Sequence, residues 1–277
     1  MGDSIVVVRC PRCGSMDAES VEDIGIEFDR MKCGSCGYSA ICDLEQIKGE
    51  WNEEVDDGEL ARVRWHVLPS IRFHELWVAL GASGYSAPAF TVLRAAYDEP
   101  HRAYHDARHI GACLRLLDDR EVRALAEHPA EVEAALFYHD VVYDTHARDN
   151  EERSAALAER ALRDANVAAD VVARIGEHVR ATKEHTPETY RADGKLVIDI
   201  DLSILGEAPE TYARFEEDIR REYAWVEPAA YVTGRSSVLR KFLDRESIYN
   251  TPLFRERYEA RARDNIGRSL AALAKSS

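Results

Sequence analysis

The chain of 277 residues has no uninterrupted apolar run of about 18 residues, so a membrane-spanning helix is not expected. Its start, MGDSIVVVRC, carries a short apolar patch with no positively charged stretch before it, which argues against a secretory signal. A cytoplasmic protein with no membrane partner is the expectation. There is no GxGxxG or GxxxxGK[ST] loop to cradle a dinucleotide or triphosphate, and no GxSxG elbow for a serine nucleophile. Basic charge is also in short supply. The net charge of −15 disfavours sequence-independent nucleic-acid binding over the whole surface, because phosphate backbones reward Lys and Arg. It leaves room for a phosphorylated small molecule in a pocket with its own cations. Strand-type alternation is scarce after residue 60, and neither an internal repeat nor a low-complexity tract is visible.

Four of the six cysteines stand as Cys10-Pro-Arg-Cys13 and Cys33-Gly-Ser-Cys36. Paired CxxC turns in an intracellular chain read as a structural zinc site, with a redox dithiol pair as the other reading. Gly14, Gly34 and Gly37 would let the backbone wrap the ion closely. Short β-type stretches flank these turns, so residues 1–45 read as a small β zinc ribbon that depends on its metal to fold. Residues 46–60 form an acidic linker, and 61–277 read as one all-helical domain. The expected fold class is therefore mainly α, an all-helical bundle preceded by the ribbon. Cys42 and Cys113 read as small buried hydrophobes.

Three histidines, His101, His105 and His109, fall four residues apart in PHRAYHDARHI. His139-Asp140 follows the apolar run Ala134-Ala-Leu-Phe-Tyr138. An adjacent imidazole and carboxylate can reach one divalent ion at a helix end. Asp199 and Asp201 interrupt the apolar run LVIDIDLSIL, and burying a carboxylate is costly unless it is paired or metal-bound. Nothing local decides which of the two faces the core. Val171, Ile175, His178, Thr182 and His185 share one helical stripe, so the two histidines continue an inward face. They read equally as packed core histidines or as ligands.

The order His109, His139-Asp140, Asp201 resembles the HD superfamily of metal-dependent phosphohydrolases. The span from about Trp65 to Leu273 is similar to a bacterial group of predicted HD phosphohydrolases. The matching pieces are YDEPHRAYHD (97–106), FYHDVVYD (137–144), NEERSA (150–155), DIDLSILG (199–206), GRSSVLRKFL (234–243) and IYNTPLF (248–254). The resemblance implies an all-helical HD-domain bundle with His109, His139, Asp140 and Asp201 as metal ligands. The YHDARH stretch is also similar to the YHNxxH motif of cyclic-nucleotide phosphodiesterases, which implies His105 as general acid; Asp106 stands where that family has Asn. His178 and His185 match positions where some HD proteins hold a second metal.

The implied chemistry is phosphoester hydrolysis. A divalent ion (Mn, Fe, Co, Ni, Mg or Zn) lowers the pKa of water from about 15.7 towards about 7. Asp140 is expected to take part in catalysis as well as ligation. Phosphoryl transfer depends on charge neutralisation and in-line positioning, and a near-neutral imidazole supplies the leaving-group proton. Arg102, Lys183, Arg235 and Lys241 are candidates for the substrate phosphate, with Gly234-Arg235 expected just before a helix N-terminus. His101 is expected at the substrate pocket or in packing, and His66, His74, His128 and His146 at the surface. The expected partner is a small phosphorylated substrate, nucleotide-like in class. Two other functions fit the same residues. One is a binding or regulatory protein whose ribbon contacts nucleic acid or protein and whose HD domain senses a ligand. The other is a di-iron HD oxygenase.

Overall fold

The computed structural model describes residues 68–183 and 191–275, together with the backbone of three short strands near the N-terminus. Those strands, β1 (Ala18–Val21), β2 (Asp29–Cys33) and β3 (Ser39–Cys42), form one antiparallel sheet in the order β1-β2-β3. Ala18 is opposite Cys33, and Asp29 is opposite Cys42. Cys10, Cys13 and Cys36 lie outside the described residues, as do His66 and His185.

The described residues from 68 onward are mainly helical. In chain order the helices are α1 (Ser70–Ala79), α2 (Ala87–Tyr97), α3 (Ala107–Leu117), α4 (Arg120–Arg123), α5 (Pro129–Tyr138) and α6 (Asn150–Asp164). Then come α7 (Ala169–Ala181), α8 (Ala192–Asp201), α9 (Pro209–Glu222), α10 (Pro228–Leu243), α11 (Pro252–Phe254) and α12 (Ala260–Leu273). A 3-10 turn over Leu202–Gly206 extends α8, and a π-helical turn over Arg255–Glu259 joins α11 to α12. No described helix is long and apolar enough to cross a membrane.

The core forms around α5. Every residue from Glu131 to Tyr138 is buried, so this helix is surrounded on all sides rather than amphipathic. Phe137 packs edge-on against Phe73 of α1 at 5.2 Å. The two buried carboxylates of α5 are each neutralised by an arginine. Glu131 takes a two-pronged contact from Arg174 at 2.7 and 2.8 Å, and Glu133 accepts from Arg72 Nε at 2.7 Å. Pro129 opens the helix, where its missing N–H is not needed. The preceding turn is closed by Asp193 of α8, whose carboxylate accepts from the backbone N of Glu127 (2.7 Å) and His128 (2.9 Å) and lies 3.1 Å from His128 Nδ1. His128, expected as a surface residue without a partner, thus belongs to a cap.

Two further details depart from what local residue pattern suggests. Helix α6 begins at Asn150, but the Asn150 side chain does not cap it. The side chain clasps Asp144, accepting from its N (3.1 Å) and donating to its O (2.9 Å), and so fixes the loop after α5. Gly234 and Arg235 lie inside α10 rather than ahead of it, because Pro228 starts that helix two turns earlier.

Candidate metal centre

Helix α3 carries His109, Ile110, Cys113, Leu114 and Leu117 on its buried face. Its N-cap is Asp106, whose side chain accepts from Arg108 N at 2.8 Å. Asp is among the residues that cap helices best, because its carboxylate accepts from the free first-turn N–H groups. The helix starts at Ala107, so His101 and His105 stand ahead of it and not on its face. The even spacing of the three histidines is therefore no helical stripe. Only His109 is presented by the helix, with Cys113 Sγ packed 3.8 Å from its ring nitrogens.

His139 sits at the C-cap of α5, and its Nδ1 lies 2.9 Å from Leu136 O. A carbonyl accepts only, so Nδ1 carries the hydrogen and Nε2 presents a lone pair in the neutral ring. That Nε2 lies 3.0 Å from His109 Nε2, 3.2 Å from Asp140 Oδ2 and 3.6 Å from Asp201 Oδ1. His109 Nε2 in turn lies 3.2 Å from Asp201 Oδ1 and 3.5 Å from Asp140 Oδ2. Both histidines are buried. Two imidazole nitrogens this close, flanked by two carboxylates, require a cation between them or a shared proton. His109, His139 and Asp201 form a group that can hold a metal ion, and imidazole with carboxylate suits a divalent one. The same carboxylates outweigh the cost of burial and raise the His139 pKa well above its ordinary value, while Asp140 is held low despite its own burial, mainly by His139.

Of the two aspartates on α8, both are drawn inward, with different partners. Asp201 joins the histidines. Asp199 accepts from Asn250 N (2.6 Å), Asn250 Nδ2 (3.0 Å) and Thr251 N (2.7 Å), fastening the IYNT segment to α8. Burial lifts the Asp199 pKa to about 6 in spite of these donors. Beyond Asp201, the 3-10 turn ends at Gly206, where a Cβ would come within 2.7 Å of Tyr258 O; only glycine allows that approach.

His105 lies beside this group, its ring centroid 6.0 Å from that of His109. Its Nδ1 is 2.7 Å from Glu222 Oε2. Tyr143 donates to the same oxygen at 2.7 Å and stacks on the His105 ring at 4.2 Å. The other oxygen, Glu222 Oε1, accepts from the backbone N of Ala103, Tyr104 and His105 at 2.8, 2.7 and 3.0 Å. Burial opposes its charge, yet the His105 bond and the remaining donors bring the Glu222 pKa down to about 2. An ionised carboxylate only accepts, so His105 Nδ1 carries a hydrogen and Nε2 is its free nitrogen. For His105, burial works against protonation, but Glu222, Asp140 and Asp201 prevail and raise its pKa.

Neither Glu222 nor Tyr143 was singled out from the sequence. A signal for Glu222 existed: Tyr212, Phe215, Ile219 and Glu222 are the buried positions of α9, so a carboxylate continues an apolar stripe at helical spacing. Tyr143 offered none, because its partner is 79 positions away.

The arginines expected at a substrate phosphate have other work. The Arg102 side chain is fully buried. It donates to His105 O (3.0 Å), Asp140 O (2.6 Å) and Val141 O (3.1 Å), pairs with Glu99, and lies over the Tyr97 and Tyr143 rings. It joins the segment carrying His105 to the segment carrying His139 and Asp140. Arg235 is paired with Glu216 through two contacts, at 2.7 and 3.1 Å, over the Phe215 ring. Lys183 and Lys241 are exposed. His178 is buried on α7 with Nε2 unpartnered, burial lowers its pKa, and it does not join the His109 group. His101 is half exposed, with Nε2 3.0 Å from Tyr143 O. The second group of possible ligands, Glu127, His128 and Asp193, is the α5 cap already described, in which both Asp193 oxygens accept backbone N–H groups.

No family model, curated protein or solved structure matches this chain.

Proposed function

We propose that this protein is a metal-dependent phosphohydrolase that cleaves a phosphomonoester or phosphodiester of nucleotide-like class. The observation that carries the reading is the meeting of His109, His139, Asp140 and Asp201 beside a histidine oriented by a buried carboxylate. A divalent ion bound there would supply Lewis acidity, neutralising phosphate charge and bringing the pKa of water towards about 7. His109, His139 and Asp201 would hold the ion, with Asp140 completing the set from the other side of both imidazoles. His105 supplies the leaving-group proton from Nε2. Glu222 fixes the ring and its tautomer, keeps the imidazolium stable, and leaves the free nitrogen towards the reacting group. Arg102 holds the two loops in register from behind and makes no substrate contact.

A cavity of about 510 Å³ lies next to Glu222; its lining includes His101, Arg102, Arg108, Arg221 and Trp225 and none of His105, His109, His139, Asp140 and Asp201. Arg102 and Arg235 are engaged elsewhere; Arg108 and Arg221 line this cavity with partly exposed side chains, the first paired with Asp106 and the second with Asp218. The cysteine pairs at 10, 13, 33 and 36 stand in this reading as structural zinc ligands. Cys33→Ser should release one equivalent of zinc without emptying the helical site.

A di-iron oxygenase would need further ligands; among the described residues His178 is not part of the group, and His185 lies outside them. Metal-loaded protein assayed on a panel of phosphomonoesters and phosphodiesters tests the proposal. Release of phosphate or of a nucleoside monophosphate, abolished in Asp140→Ala and His139→Ala, is expected. No release from any ester, or turnover indifferent to Asp140→Ala, overturns it. Iron-dependent oxygen uptake without phosphoester turnover would favour the oxygenase.

A further inference from the structure

Trp225 follows the end of α9 and is 53 % exposed, yet it is held from several sides. Arg220 clamps its turn, donating to Tyr223 O (2.6 Å) and Val226 O (3.2 Å) while lying over the Tyr231 ring. The indole N–H donates to Thr145 Oγ1 at 2.8 Å. One face of the indole stacks on His146, with ring centroids 3.9 Å apart and planes 19° from parallel. Thr145 and His146 belong to the loop after α5 that Asn150 fixes at Asp144. A half-exposed side chain gains little from burial, so hydrophobic packing does not account for this much ordering. Tryptophan is favoured at binding hot spots, and a ring already fixed loses little entropy when a ligand stacks on it. The same indole forms part of the wall of the 510 Å³ cavity beside Glu222. With its N–H engaged and one face on His146, its opposite face is what remains for a ligand.

We propose that Trp225 is the stacking platform for the base of a nucleotide substrate seated in this cavity. Naming the ring a nucleobase rests on the phosphohydrolase reading. The wall includes none of the metal-centre residues, so the part of the substrate bound there is remote from the reacting phosphate. It does include Glu222, whose Oε2 lies 2.7 Å from His105 Nδ1, so the ring subsite and the proton donor share one side chain. The electron-rich face of an indole favours an offset-stacked heteroaromatic ring. The wall also carries His101, Arg108 and Arg221, which suit a ring with polar edge atoms better than a hydrocarbon one. Stacking tolerates base identity, because every base has a π-face. The site therefore requires a base and discriminates weakly among bases.

Titration of the full-length chain with adenosine and with ribose, followed on the ligand protons by NMR, tests the proposal. Neither probe carries a phosphoester, so binding is read without turnover. Adenosine should bind roughly tenfold more tightly than ribose, the difference one stacked base makes. Its adenine ring protons should move upfield, as they do over the face of an aromatic ring. Trp225→Ala should bring adenosine down to the affinity of ribose and abolish the upfield movement, with ribose itself unaffected. Trp225→Phe, which keeps a flat ring, should retain most of both effects. Equal affinities for the two probes in the wild type, or a preference for adenosine that survives in Trp225→Ala, would overturn the proposal. The two readings fail separately. A silent phosphoester panel beside Trp225-dependent adenosine binding removes the hydrolase and leaves the ring site. Phosphoester turnover beside adenosine binding indifferent to Trp225→Ala removes the platform alone.

Discussion

The His105–Glu222 pair shows how one buried carboxylate can serve two purposes. One oxygen collects three backbone N–H groups and shapes the loop; the other orients an imidazole. Removing the charge while keeping the shape separates these. Glu222→Gln should reduce turnover about 10- to 100-fold, the usual penalty for losing a group that orients a site histidine. Because the substituted amide no longer stabilises an imidazolium, the pH profile of kcat/KM should also lose its basic limb at lower pH than in the wild type. A uniform loss with an unchanged profile would make Glu222 purely structural. His105→Ala should be inactive yet keep its full metal content, while Asp201→Ala should lose the metal. Metal loss from His105→Ala would instead make His105 a ligand.

At the scale of elements, α5 is the beam on which the site is built. It ends at Tyr138, so the next two residues, His139 and Asp140, meet α3 and α8 at the point where the helix stops. Its start is held by Asp193 and its end by Arg102, both reached from distant parts of the chain. Asp193→Ala would strand two backbone N–H groups and should cost about 1–3 kcal/mol in urea unfolding, with little change in the activity of the folded fraction. Arg102→Lys keeps a charge but cannot reach three carbonyls from one planar fork. It should lower both stability and turnover, with the loss of turnover exceeding any change in KM. The helices themselves were largely legible: the apolar runs before His139 and around Asp199 and the stripe on α3 lie where local pattern places them, whereas α10 starts at Pro228, ahead of the Gly234-Arg235 pair expected to precede it. The caps were less so. Asn150 has the residue type of an N-cap but clasps Asp144 instead, and His128 looks solitary because its partner is 65 positions away.

For the whole molecule, the buried ionised groups couple stability to acid. Glu222 has a folded pKa of about 2, below its ordinary value of 4.5, so it contributes stability above about pH 4.5 that is lost as the pH falls towards 2. The wild type should therefore lose more unfolding free energy between pH 5 and pH 3 than Glu222→Gln does; parallel curves would show that the pair does not couple to folding. The sequence by itself determined the mainly helical character of the region after residue 60 and the residue types that meet at the site. Apolar periodicity and isolated buried carboxylates are local signals, and they are written in consecutive residues. Only the tertiary structure decided which aspartate of α8 joins the histidines, that Arg102 and Arg235 hold protein rather than substrate, and that Glu222 stands behind His105. Those assignments depend on which donors and acceptors are brought within about 3 Å across separations of 19 to 119 residues. A hydrogen bond leaves no mark on sequence periodicity, so its partners become known only once the chain has folded around them.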